Sequence, residues 1–120
     1  VDFQFVLADL ISGVEGAVGV LLLDWDGETV EALGCTGSIH DIKVLGAYQG
    51  IFLTRAKGLS RGLDLGECRE FTIRLGGNRF MTRVLPEGYY LTLIIGEEAV
   101  EGTARRCLDR AAIRVEKILF

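Results

Sequence analysis

Apolar residues recur at helical spacing from the start of the chain. Phe3, Val6, Leu7, Leu10 and Ile11 share one face, and Gly13 is a stop. The pattern predicts a short amphipathic helix. A run that is apolar on both faces follows, Ala17-Val-Gly-Val-Leu-Leu-Leu23, then Asp24-Trp-Asp-Gly27, then Glu28-Thr-Val-Glu-Ala-Leu33. Asp26-Gly27 between two β-prone runs predicts a hairpin. A strand without a polar face sits mid-sheet, covered on both sides.

Ser38-Ile-His-Asp41 reads as a capping box that opens a helix running to about Lys57. No charge falls between Val44 and Thr54. A surface helix keeps a polar face, so one apolar nearly all round is expected to be buried on two sides. The sheet covers one, and a second subunit is the natural cover for the other. Gly46 and Gly50 lie on one face and permit close helix approach, although each costs about 1 kcal/mol relative to alanine.

Ser60 to Gly66 reads as a loop, followed by strands at about 67–75, 78–85 and 89–95. Gly76-Gly77 and Pro86-Glu87-Gly88 are the turns between them. Tyr89 to Ile95 is again apolar on both faces and therefore central. The strand from Glu67 alternates, with Phe71, Ile73 and Leu75 on one side and Glu70, Thr72 and Arg74 on the other, as a half-buried or edge strand does. A last helix is expected from near Glu97, its acids Glu97, Glu98 and Glu101 at the N-terminal dipole and Arg114 and Lys117 toward the other end. Its expected buried stripe is Val100, Ala104, Cys107, Leu108, Ala111, Val115 and Ile118. The order α-β-β-α-β-β-β-α, with short strand-to-strand links, describes an antiparallel α+β fold in one domain over residues 1–120.

Composition narrows the class. The 120 residues are 49% hydrophobic and 25% charged, which excludes disorder. The net charge of −4 and pI near 5.0 disfavour nucleic acid as a partner. The longest apolar run is far short of the roughly 20 residues of a membrane span, so no membrane insertion is expected. Three cysteines, odd in number and widely spaced, fit a reducing cytoplasm better than a disulfide framework. Charge is polarised: residues 1–42 hold eight acids and no Lys or Arg, while residues 43–86 hold eight bases against three acids. The arginines at 69, 74, 79 and 83 read as a solvated face.

Signatures of chemistry are missing. There is no P-loop, no dinucleotide fingerprint and no nucleophile elbow. His40, the single histidine, falls inside the helix cap. Cys35 lies five residues before it, which does not make a dyad. Cys35, His40 and Asp41 cannot assemble four metal ligands, and Asp24 and Asp26 are turn residues rather than a calcium loop. No catalytic, metal or cofactor residue is nominated. Trp25, at the hairpin tip, is expected to pack back onto the sheet edge, with a role as a contact residue the alternative.

The element order resembles the roadblock/LC7 family, as do several segments: the Phe3 to Leu10 helix, Gly16-Ala-Val-Gly19 entering a strand, Asp26-Gly27, the uncharged helix at 44–54, and Glu87-Gly-Tyr-Tyr-Leu-Thr-Leu93 before an Ala/Arg/Leu-rich helix. The resemblance implies a five-stranded antiparallel sheet with helices on both faces. It also implies dimerisation through third strands and middle helices, and binding and regulation of Ras-like small GTPases, with GTPase activation among the modes, or service as a light chain or scaffold subunit. Gly46, Gly50, Glu70, Thr72 and Arg74 are then expected at a homodimer interface. Pairing of two third strands about Thr72 sets Glu70 against Arg74 of the other copy. Lys43, Arg55 and Lys57 are expected at the charged ends of a GTPase-docking platform formed by the paired middle helices. A small-molecule sensor, with a pocket between sheet and helix, is a third reading.

Overall fold

The structure, a computed structural model, describes residues 2–34 and 39–120. Helix α1 (Phe3–Ser12) is followed by β1 (Ala17–Leu23) and β2 (Thr29–Gly34), then by α2 (Ile39–Leu63). Strands β3 (Glu70–Leu75) and β4 (Asn78–Val84), a 3-10 turn (Pro86–Gly88), β5 (Tyr90–Ile95) and α3 (Glu101–Leu119) complete the chain. The strands form one antiparallel sheet in the order β2-β1-β5-β4-β3. This is the expected α+β architecture, with β1 and β5 central and β3 at an edge. Ser38 and Cys35 lie outside the described residues, as does the side chain of His40, so the expected capping box is not described.

Local chemistry explains the ends of the elements. Asp2 caps α1, its carboxylate accepting the Phe5 N–H at 2.9 Å. The β1–β2 hairpin turns on Asp24, whose carboxylate accepts the N–H groups of Asp26 and Glu28 at 2.9 and 3.0 Å. Helix α2 runs past the expected end at Lys57 to Leu63. No proline interrupts it, and it closes with Asp64 in the left-handed region at φ 54. The Leu65 N–H then reaches the Ser60 carbonyl at 2.9 Å and the Asp64 N–H reaches that of Arg61 at 3.4 Å. That is a Schellman closure with aspartate in the place glycine usually takes, so the loop expected at residues 60–66 is half helix.

Two further boundaries differ from expectation. Strand β3 starts at Glu70 rather than 67, and α3 starts at Glu101 rather than 97. The segment between β5 and α3 is a turn, and Val100 is exposed rather than buried. Arg79 holds this turn: its guanidinium donates to the carbonyls of Gly96 and Ala99, each at 2.7 Å, and of Glu97 at 3.4 Å. Glu101 lies 3.5 Å from it. The side chain that reads as part of a solvated arginine face is thus 7% exposed and buried on the α3 side of the sheet. Arg83 also departs from that reading. It is half-buried and pairs with Asp109 of α3.

The core has two layers. Toward α1 and α3 lie Val20 and Leu22 of β1, Met81 of β4, and Leu91, Leu93 and Ile95 of β5, packed on Val6, Leu7, Leu10, Ala104, Leu108, Ala111 and Val115. Toward α2 lie Leu21, Leu23, Phe80, Tyr90 and Ile94, with Leu53. From the expected α3 stripe, Ile118 is exposed and Cys107 half-buried, while Ala112 is buried instead.

Removing the guanidinium by Arg79→Met should take from the Ala99 carbonyl its side-chain donor and leave the Gly96 carbonyl only the Ala99 N–H, at a cost of about 2–4 kcal/mol in urea unfolding. Arg74→Met, at an exposed position, should stay within about 0.5 kcal/mol. Equal small losses at both positions would show that Arg79 does not anchor the turn.

Candidate functional site

Helix α2 packs over β1 and β2 and buries few of its own side chains. Leu53 enters the core and Gln49 is 1% exposed. The outward face carries Val44, Tyr48, Ile51, Phe52, Leu59 and Leu63, all exposed. Their spacing of three and four residues places them on one stripe along the helix. The two-sided apolar character read from the sequence is therefore real. One side meets the sheet and the other is open.

Beyond α2, toward the β3 edge, the same face of the sheet carries Phe71 and Ile73, half-buried, opposite Thr82 and Phe80. Glu70, Thr72 and Arg74 are exposed and point to the α3 side. Glu70 accepts from Arg105 at 3.1 Å and lies 3.9 Å from Arg83. An exposed apolar helix stripe and a half-covered apolar strand thus occupy one side of the molecule.

The structure separates the residues expected on the docking platform. Because α2 extends to Leu63, Arg55 and Lys57 lie within the helix and not at its end; Arg61 is the base of its last turn. Arg55 is exposed beside Ile51 and Leu59. Lys57 is half-buried on the other flank, where it lines a cavity of about 260 Å³ with Trp25, Asp26, Gly50, Thr54 and Tyr90. Gly46 lies within α2, but its surroundings and the side chain of Lys43 are outside what the structure describes.

Gly50 has a local reason to be glycine. A Cβ there would stand 2.5 Å from the Tyr90 hydroxyl. Tyr90 is 2% exposed, and its hydroxyl has no hydrogen-bond partner among the described residues. Burial, and then the nearby Asp24 carboxylate, push its phenol above the ordinary range.

Sequence reasoning also missed a buried polar chain under α2. The Thr82 hydroxyl donates to Gln49 Oε1 at 3.0 Å and lies 2.8 Å from the Thr92 hydroxyl. Having given its one proton to Gln49, Thr82 must accept from Thr92. The signal was present: Thr92 is a polar residue within a strand apolar on both faces, and such a residue requires a partner.

A five-stranded antiparallel sheet with α1 and α3 on one face and α2 on the other is the roadblock/LC7 fold, as the comparison with solved structures shows. The roadblock/LC7 domain from Streptomyces avermitilis superposes with a TM-score of 0.88 at 18% identity, over 99% of this chain and 98% of that one. MglB of Myxococcus xanthus gives 0.86 at 19% identity, over 98% and 94%. The gliding protein MglB from Thermus thermophilus gives 0.86 at 18%, over 97% and 87%. No protein-family model matches the chain, and neither does any curated protein.

Gly50→Ala should destabilise the protein, yet stabilise it by up to about 1 kcal/mol in a Tyr90→Phe background, where helix propensity acts without the clash. The raised phenol has a pH signature. Tyr90 keeps its proton in the folded state where the unfolded chain begins to lose it, at about pH 10. Its contribution is full below that pH and is lost as pH rises toward the folded value. Tyr90→Phe should therefore flatten part of the alkaline loss of stability. An unchanged stability profile above pH 10 would contradict the buried hydroxyl.

Proposed function

We propose that this chain is a non-enzymatic, homodimeric regulator of a Ras-like small GTPase, docking it on paired α2 helices. The observation that carries the reading is the open apolar stripe of α2 beside the half-covered row of β3. A single chain leaves this surface to water, and contiguous exposed apolar surface marks an interaction site. The fold shared with the MglB structures supports the reading, as does the resemblance to a family that dimerises through third strands and middle helices and regulates such GTPases.

The dimer register follows from β3. Two copies pairing antiparallel about Thr72 set Glu70 against Arg74 of the second copy, and the two-fold axis repeats the pair. The same register sets Phe71 against Ile73 of the second copy on the α2 side, so the apolar row continues across the junction. The sheet edge is covered in the same step. Gly46 and Gly50 belong to this interface in the proposal, Gly50 at its inner margin beside Tyr90. Lys43, Arg55 and Lys57 supply positive charge around an uncharged surface, and the regulator acts by binding one nucleotide state of the GTPase more tightly than the other.

Arg74→Glu and Glu70→Arg should each weaken the dimer by about 0.2–1 kcal/mol per pair, with partial recovery in the double variant. Sedimentation of the three variants at one concentration series reads this, and three affinities equal to the parent's would remove the register. Immobilised protein should capture a small GTPase from lysate with a non-hydrolysable GTP analogue or with GDP, but not equally with both. Capture of large scaffold or motor subunits in both conditions, without a GTPase, would establish a structural light chain instead.

A further inference from the structure

A second surface lies where the β1–β2 hairpin meets the start of β5. Trp25 at the hairpin tip packs edge-to-face on Tyr89, with centroids 5.4 Å apart and planes at 89°. Tyr89 packs in the same manner on Phe120, at 6.0 Å and 76°. These rings and Glu87 line one open cavity of about 380 Å³. Trp25 is 62% exposed and Phe120 61%. The tryptophan expected to pack back onto the sheet edge touches Tyr89 but leaves most of its surface in water.

The backbone is shaped to hold this arrangement. Gly88 has φ +84, and a Cβ there would lie 2.8 Å from the Trp25 Cβ. Glycine thus allows the 3-10 turn to close on the hairpin tip. Glu87, which lines the cavity, is itself in the left-handed region at φ 64.

The two segments that carry Trp25 and Glu87 are acidic, while the bases nearby, Lys57 and Arg61, belong to α2 on the side away from Phe120 and line other cavities. The hairpin carries Asp24, Asp26 and Glu28, the turn carries Glu87, and neither segment carries a Lys or Arg. The C-terminal end of α3 adds the negative pole of its dipole, while its Glu116 and Lys117 offset one another. Aromatic faces attract cations, and guanidinium most often. The molecule already makes one such contact, with Arg114 lying 5.6 Å from the Phe5 centroid.

We propose that the Trp25–Tyr89–Phe120 cavity binds an arginine-bearing segment of a protein partner, with the guanidinium on the aromatic rings and paired with Glu87. Arginine suits it better than lysine, because a planar, weakly hydrated cation can stack on a ring and present a fork to a carboxylate. This surface is separate from the α2 stripe and does not depend on the GTPase reading.

Trp25 is the single tryptophan, so its emission reports the site directly. Titration with a capped peptide of alternating glycine and arginine should change that emission saturably. Matched peptides with glutamate or proline in place of arginine should not. Glu87→Gln and Phe120→Ala should each weaken binding about two- to five-fold, with Glu87→Gln also lowering the salt dependence. Glu87→Gln alters no packing, so it reads the charge even if Phe120→Ala perturbs α3. No saturable change, equal response to the glutamate or proline peptide, or affinity unmoved by Glu87→Gln would overturn the proposal.

Discussion

Strands β1 and β5 are apolar on both faces, and everything else in the molecule answers to that. Val20 to Leu23 and Tyr90 to Ile95 are all buried, which requires cover above and below. Helices α1 and α3 supply one cover together. On the other face a single helix must do the work, and it lies over β1 and β2. The edge half of that face, where Phe71 and Ile73 stand, is left partly open. The asymmetry is a matter of helix number, and it leaves apolar surface open on this side of the sheet before any individual side chain is considered.

Polar groups inside the core act as locators. Arg79 reaches from β4 to the turn between β5 and α3 and satisfies carbonyls that have no place in a strand or helix. It fixes where α3 begins. The Thr92–Thr82–Gln49 chain does the corresponding task on the other face, joining β5, β4 and α2. Apolar contacts are tolerant of sliding, whereas a buried hydrogen bond has one good geometry and a penalty for losing it. Surface pairs such as Arg114 with Asp9, at 2.6 Å, tie α3 to α1 with much smaller energies.

Most of the architecture was legible because it rests on periodicity. The both-faces-apolar runs named the central strands, Asp26-Gly27 named the hairpin, and alternation from Glu70 to Leu75 named the edge. The open face of α2 was legible too, from the stretch without charge between Val44 and Thr54. What escaped were features that depend on which side chains meet across space. Arg79 has the same local sequence signature as Arg74, and only the β5–α3 turn distinguishes them. Gly50 reads as a helix-approach glycine until Tyr90 is placed beneath it. The end of α2 escaped because aspartate, not glycine, adopts the left-handed closure. The positions of Arg55 and Lys57 relative to the helix end were the least legible, because that end lies six residues beyond Lys57.

The two faces of the sheet consequently carry different burdens. The α1–α3 face is closed by the chain's own residues, so its stability is intrinsic to the protomer. The α2 face is closed only in part, and it leaves Tyr48, Ile51, Phe52 and Leu59 exposed. Any molecule that covers Tyr48, Ile51, Phe52 and Leu59 removes apolar surface from water, and stabilises the folded chain in proportion to the logarithm of its concentration over its dissociation constant. A polar substitution on the stripe would therefore relieve exposure in the free protein while weakening what binds it.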